Sequence, residues 1–121
     1  MILRLTDPEF LRKLNSTKEI EITVTGRISG RNISTPVWFI HEGSRLYLVP
    51  VTGSGSNWYR NVLANPSIQI SAKGSKIMVK ASPITEASKV NHIVEKLRSK
   101  YGAGDVARYY SKLDAALEVS I

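Results

Sequence analysis

Residues 19–49 read EIEITVTGRISGRNISTPVWFIHEGSRLYLV, and the architecture follows from this stretch. From Glu19 to Thr25 the side chains alternate. Ile20, Ile22 and Val24 take one face and the glutamates and threonines the other, the pattern of a half-buried strand. Gly26 to Arg31 is a turn-rich connection. Thr35 to Ile40 is β-branched and aromatic, and Val37-Trp38-Phe39-Ile40 is apolar on both faces, which predicts a central strand covered on both sides. His41-Glu42-Gly43-Ser44 reads as a tight turn, and Leu46 to Val49 as the next strand. These connections are too short for a crossover helix, so the three strands form an antiparallel meander.

Working outward, Thr6-Asp7-Pro8-Glu9 is a helix start: Thr6 or Asp7 can cap, Pro8 suits the first turn, and Glu9 suits the positive dipole end. Phe10, Leu11 and Leu14 then give the stripe of a short helix over 8–15. Beyond the meander, Thr52 to Asn57 is a small Gly/Ser loop. Trp58, Val62 and Leu63 follow at helical spacing over 57–64, with Ser56 as a cap and Asn65-Pro66 as the stop. A strand over 67–71, a hairpin signal at Gly74-Ser75 and a strand through Ile77, Val79 and Ala81 come next. Ala87, Val90, Ile93, Val94, Leu97 and Tyr101 define a helix over 86–101, ended by Gly102 and Gly104. The spacing of Val106, Tyr109, Tyr110, Leu113 and Leu117 predicts a last helix over 105–117. Strands grouped before helices argue an α+β fold. Five or six antiparallel strands of this length close into a small barrel, which removes their edges, with the helices flanking it. The 121 residues are read as one domain, 1–121.

Composition narrows the function. The chain has no cysteine, which excludes a disulfide scaffold, a thiolate metal site and a cysteine nucleophile. The two histidines, His41 and His92, lack the spacing of a metal pair, and no serine sits in a GxSxG elbow. No apolar run is long enough for a membrane span, and MILRLTDPEF lacks a signal-peptide core, so a cytoplasmic location is expected. The net charge of +7 favours an anionic partner. The basic residues are scattered, without the dense stripe or paired strand aromatics of a nucleic-acid surface, so nucleic acid is the less favoured partner.

The anion-binding candidates lie between Gly26 and Pro66. Gly53 and Gly55 let a backbone approach a ligand, and the helix N-terminus at Ser56 offers free N–H groups. Thr52, Ser54 and Ser56 add hydroxyls. Arg27 and Arg31 can hold a phosphate bidentately if the two loops meet. Trp38 and Trp58 are the large aromatic surfaces, and Tyr59, Tyr109 and Tyr110 can pack or line a pocket.

Two runs carry a family resemblance. Thr25-Gly26-Arg27-Ile28-Ser29-Gly30-Arg31 with Thr35-Pro36-Val37-Trp38-Phe39 resembles the T-G-R-x-S-G-x … T-P-x-W-F opening of the deazaflavin-dependent nitroreductase family. Trp58-Tyr59-Arg60-Asn61-Val62-Leu63-Ala64-Asn65-Pro66 resembles its W-Y-x-N-L-x-A-N-P helix and turn. The likeness spans residues 20–84. It implies the split β-barrel of the pyridoxamine-phosphate-oxidase-like, FMN-binding superfamily. It also implies a phosphorylated cofactor, the deazaflavin coenzyme F-420, with FMN as the alternative, and hydride transfer to a small electron-poor acceptor. By that resemblance Arg27, Ser29 and Arg31 sit near the cofactor's phosphate or acidic tail. Pro36, Val37 and Trp38 line the ring pocket, Thr52, Gly53, Ser54 and Gly55 lie against phosphate or ring, and Trp58 and Asn61 hold the cofactor from the short helix. A homodimer is the expected assembly. The loop over 51–57 departs from the family in being short. No side chain stands out as the general acid; Tyr47, Tyr59 or a water could serve. Two other functions remain open at this point: a non-catalytic carrier or sensor of a flavin-like cofactor, and a small basic nucleic-acid-binding barrel.

Overall fold

A computed structural model describes residues 8–120. The cap expected at Thr6 or Asp7 lies outside them. Helix α1 (Pro8–Asn15) leads into strand β1 (Ile20–Thr25). Strands β2 (Asn32–Val37), β3 (Phe39–Glu42) and β4 (Arg45–Leu48) follow, then helix α2 (Asn57–Ala64). Strands β5 (Ser67–Ala72) and β6 (Ser75–Ile84), helices α3 (Ala87–Tyr101) and α4 (Ala103–Tyr109), and strand β7 (Ala116–Ser120) complete the chain.

The seven strands form one antiparallel sheet in the order β2-β1-β5-β6-β7-β4-β3. Its two ends, β2 and β3, are consecutive in the chain and separated only by Trp38. One bent segment over 32–42 therefore supplies both edges: its first half pairs back to β1, and its second half pairs forward to β4. The sheet must curl to satisfy both. The long strand β6 does the same on the opposite side, pairing with β5 from Ser75 to Lys80 and with β7 from Ala81 to Ile84. Pro36, which has no N–H to give to a ladder, sits at this edge, where such a residue is tolerated. The β5–β6 hairpin closes through Lys73 and Gly74, whose φ values of +47° and +84° match the twist of a two-residue turn.

Alternation along the strands sorts the apolar residues into two cores. Ile20, Ile22, Val24, Phe39, Leu46, Leu48, Ile68, Ile70, Leu117 and Val119 fill the barrel interior, with Phe10 and Leu14 of α1. Ile40, Val49 and Ala116, one residue out of phase, point outward to Ile93, Leu97 and Tyr101 of α3 and to Val106 of α4. The run over 35–40 is not the single central strand that its pattern predicts: it breaks at Trp38, its halves lie in β2 and β3 at the two ends of the sheet, and it is apolar on both faces because Phe39 belongs to the interior and Ile40 to the helix layer. The apolar face of α3 thus covers the barrel.

Three further sequence expectations need correction. The last helix does not run over 105–117; α4 stops at Tyr109 and residues 116–120 are strand β7. Ala116, Leu117, Glu118 and Val119 suit a helix, but Leu117 and Val119 have places in the barrel interior, and the β4–β6 gap supplies ladders on both sides. Gly102 ends α3, whereas Gly104 lies inside α4. His41 and Glu42 belong to β3, so the turn is Gly43-Ser44 alone.

The bend at Trp38 interrupts the ladder, and α3 repairs it. The Tyr101 hydroxyl accepts from the Phe39 N–H at 3.2 Å and donates to the Lys18 carbonyl at 2.7 Å. Tyr101→Phe keeps the ring but leaves the buried Phe39 N–H without its acceptor, a loss of about 1–3 kcal/mol. Urea unfolding of the two proteins measures it, and equal midpoints would remove Tyr101 from this role.

Candidate functional site

The bend opens a cavity of about 730 Å³. Thr35, Pro36, Val37 and Trp38 form one wall, Val49, Val51 and Trp58 another, and Tyr109 and Tyr110 a third, with Lys18 and Glu19 at the rim. Each wall traces to a separate part of the chain: the end of β2, the segment from β4 into the first turn of α2, and the end of α4.

Trp38 is fixed by aromatic contacts. Tyr101 stacks on it with centroids 4.2 Å apart and planes 3° apart. Tyr109 meets it edge-on at 5.8 Å, and Tyr110 lies tilted at 5.9 Å. Pairs in this range add to simple burial and restrict ring motion. Burial pushes the hydroxyls of Tyr101 and Tyr110 up, so both stay protonated through neutral pH. The Tyr101 hydroxyl is engaged as described. The Tyr110 hydroxyl has no hydrogen-bond partner among the described residues, although the residue is only 8% exposed and lines the cavity. Among the described residues it is a neutral donor without an acceptor.

Beneath the stack, the Lys100 amine donates to the Phe39 carbonyl at 2.8 Å and sits 3.4 Å from the centroid of the Phe39 ring. The residue as a whole is exposed, but its amine is turned onto Phe39, and desolvation lowers its pKa to about 8.

The other predicted residues lie beside the cavity rather than in its walls. Arg27 crosses to α2: its backbone N–H and Nη1 both donate to Asn61 Oδ1, at 3.1 and 2.7 Å, and its guanidinium reaches the carbonyl and side chain of Asn57 at 3.4 Å. Buried Asn61 thus positions Arg27, leaving other guanidinium N–H groups exposed. Ser29 Oγ accepts from the Arg31 N–H, and both residues are exposed. Gly53, Ser54 and Gly55 form a single 3-10 turn that faces the C-terminal segment. Ser54 donates its N–H and hydroxyl to Asp114, at 2.8 and 2.6 Å. Gly53 is required there: its φ is +62°, and a Cβ would overlap the Asp114 carboxylate. Thr52 is exposed. Ser56 precedes α2 but makes no side-chain cap.

Pro36, Val37, Trp38 and Trp58 are therefore the predicted residues that the fold brings to the cavity. Lys18, Glu19, Thr35, Val49 and Val51 line it without having been singled out. Their place depends on sheet curvature, for which a local sequence pattern gives no signal. Tyr109 and Tyr110 carried a signal, tyrosines at helical spacing, but one that fits packing as well.

Comparison with known proteins fixes the class. The model of the F420H(2)-dependent quinone reductase family matches residues 2–121, and the chain belongs to that family. It is a reductase of an F-420-dependent, split-barrel class. Similar solved structures include an F420-H2 dependent reductase (FDR-A), at 19% identity and TM-score 0.63, covering 85% of this chain and 94% of that one. A pyridoxamine 5′-phosphate oxidase-type protein from Listeria innocua matches at 17% identity and TM-score 0.67, covering 92% and 89%. The haem storage protein HutZ from Vibrio cholerae matches at 14% and 0.69, covering 98% and 90%. At these identities the likeness is one of fold. No helix among the described residues is long and apolar enough to cross a membrane.

The residues present suit a flat heteroaromatic ring. The cavity has Trp38 and Trp58 in its walls, a proline and valines beside them, and the hydroxyl of Tyr110, which has no hydrogen-bond partner among the described residues.

A pH prediction follows from Lys100. Its amine titrates near pH 8 when folded, against a usual 10.5. Between those values the unfolded chain holds more protons, so stability rises with pH across that window. Lys100→Met lacks this titration. Urea midpoints from pH 8 to 10.5 should climb for the wild type relative to the variant, and parallel profiles would contradict the burial of the amine.

Proposed function

We propose that this reductase binds reduced coenzyme F-420 with its ring in the cavity between Trp38 and Trp58 and reduces a small planar acceptor of the quinone class. The observation that carries the reading is the cavity itself: apolar and aromatic walls, with the neutral Tyr110 hydroxyl lacking a hydrogen-bond partner among the described residues. When bound, the cofactor would supply a hydride.

The chain's own tasks are binding, shielding and charge stabilisation. Pro36, Val37 and Trp38 would give the ring an apolar seat that the Tyr101 stack keeps rigid. Val49, Val51 and Trp58 would exclude water from the other side, which strengthens every electrostatic interaction within. Tyr110 would donate its hydroxyl proton in a hydrogen bond to an oxygen that gains negative charge on the acceptor. A phenol is neutral at physiological pH, and burial carries that range further up, so the donor persists. Outside the ring pocket, the exposed donors of Arg27 and Arg31, with Lys18 at the cavity rim, would meet the phosphate and acidic tail. The net charge of +7 supports a polyanionic ligand.

Titration of F-420 and FMN into purified protein tests the reading, followed by quenching of the two tryptophans. F-420 should bind more tightly than FMN. Arg27→Ala should weaken F-420 by about 1.5–3 kcal/mol, the range for a charged hydrogen bond, with little change in folding. Binding of neither ligand would sink the proposal, and equal affinity of wild type and Arg27→Ala would remove Arg27 from the site.

A further inference from the structure

The third wall of the cavity is held by a clasp of its own. After α4 the chain runs irregularly from Tyr110 to Ala115 before entering β7. Across from it lies the short loop between β4 and α2. Four hydrogen bonds join the two. Ser111 N–H and Oγ donate to the Val51 carbonyl at 2.8 and 3.3 Å. Ser54 N–H donates to Asp114 Oδ1 at 2.8 Å, and Ser54 Oγ to Asp114 Oδ2 at 2.6 Å.

The placement matters because both partners border the cavity. Val51 lines it and is the acceptor for Ser111; Tyr109 and Tyr110 line it and immediately precede Ser111. The loop also leads directly into α2, whose Trp58 is in the wall. Separating the loop from residues 111–114 would therefore move the Val51–Trp58 wall away from the Tyr109–Tyr110 wall. Two features show that the contact is built in. Gly53 adopts a left-handed conformation where a side chain would overlap the carboxylate. The Ser54 hydrogen bonds also hold the Asp114 carboxyl below its ordinary pKa, so it remains a charged, strong acceptor. Ala115, Ala116 and Leu117 are fully buried next to the clasp, so β7 keeps its own anchorage if the clasp is lost.

We infer that Asp114 is a positioning residue for the ligand cavity, acting through Ser54 to set the spacing between the loop wall and the tyrosine wall. Asp114 is not among the residues that line the cavity, and the role needs no contact with cofactor or acceptor. The inference rests on the proposed function for its effect on turnover, but not for its effect on the cavity.

The test uses Asp114→Ala, Asp114→Asn and Ser54→Ala in the full chain. Asparagine keeps an oxygen for the Ser54 N–H and an amide that can donate to the Ser54 hydroxyl, so it should restore much of what alanine loses. The first readout needs no ligand: acrylamide quenching of Trp38 in a Trp58→Phe background. Quenching should rise in Asp114→Ala as Tyr109 and Tyr110 withdraw, return towards wild type in Asp114→Asn, and rise less in Ser54→Ala. The second readout is binding and turnover with F-420 and 1,4-naphthoquinone. Asp114→Ala should raise the F-420 Kd about tenfold, the scale of one charged hydrogen bond, and the quinone KM in the same direction. Unchanged quenching in Asp114→Ala, or an equal rise in Asp114→Asn, would overturn the clasp. If Asp114→Ala does not fold, Ser54→Ala alone decides by the same quenching criterion. Failure of the wild type to bind F-420 would refute the functional reading and leave the quenching test intact.

Discussion

Everything in this barrel depends on one strand serving two neighbours. Residues 32–42 pair with β1 before Trp38 and with β4 after it. At Trp38 the change of partner breaks the ladder, and a buried break must be satisfied from elsewhere. The Tyr101 hydroxyl and the Lys100 amine, neighbours at the end of α3, satisfy the N–H and the carbonyl of Phe39. Tyr101 also ties the Lys18 carbonyl to the same point. The last turn of a helix thus closes the barrel and fixes the orientation of its principal tryptophan.

The same bend accounts for the site. Where the ladder opens, Trp38 is free to stand against Tyr101, Tyr109 and Tyr110 rather than across a neighbouring strand. The space left between this cluster and Trp58 is the cavity. Hydride chemistry carried by a cofactor asks little of a protein beyond a dry, rigid, correctly shaped seat and a donor for developing charge. Placing that seat at a structurally obligatory break means that the interactions stabilising the fold also preorganise the pocket.

Much of this was legible from the chain. The alternation of residues 19–25, the short connections and the two-faced run at 37–40 lead to an antiparallel α+β barrel, and the helices over 8–15 and 57–64 fall where the apolar spacing places them, although Ser56 makes no side-chain cap. Strand β7 was not legible, because Ala116 to Val119 has the composition of a helix end and becomes a strand only by pairing with β4 and β6. The site divides along the same line. Trp38 and Trp58 stand out locally as large aromatic surfaces that a flat ligand would use, whereas Pro36 enters through the family resemblance. The role of Gly53 and Ser54 does not, since their partner Asp114 is 60 residues away and the Gly/Ser composition alone suggests a ligand loop. Lys18, Val49 and Val51 reach the cavity through curvature that no local pattern encodes.

The central claim is that the ligand ring lies between the two tryptophans. The chain has only those two, so a nitrogen-15 correlation spectrum carries two indole N–H signals. Titrating F-420 into labelled protein tests the claim directly. The account predicts that both indole signals move in step with saturation, together with the backbone amides of Val37 and Val51. Saturable shifts elsewhere, with both indole signals stationary, would contradict it.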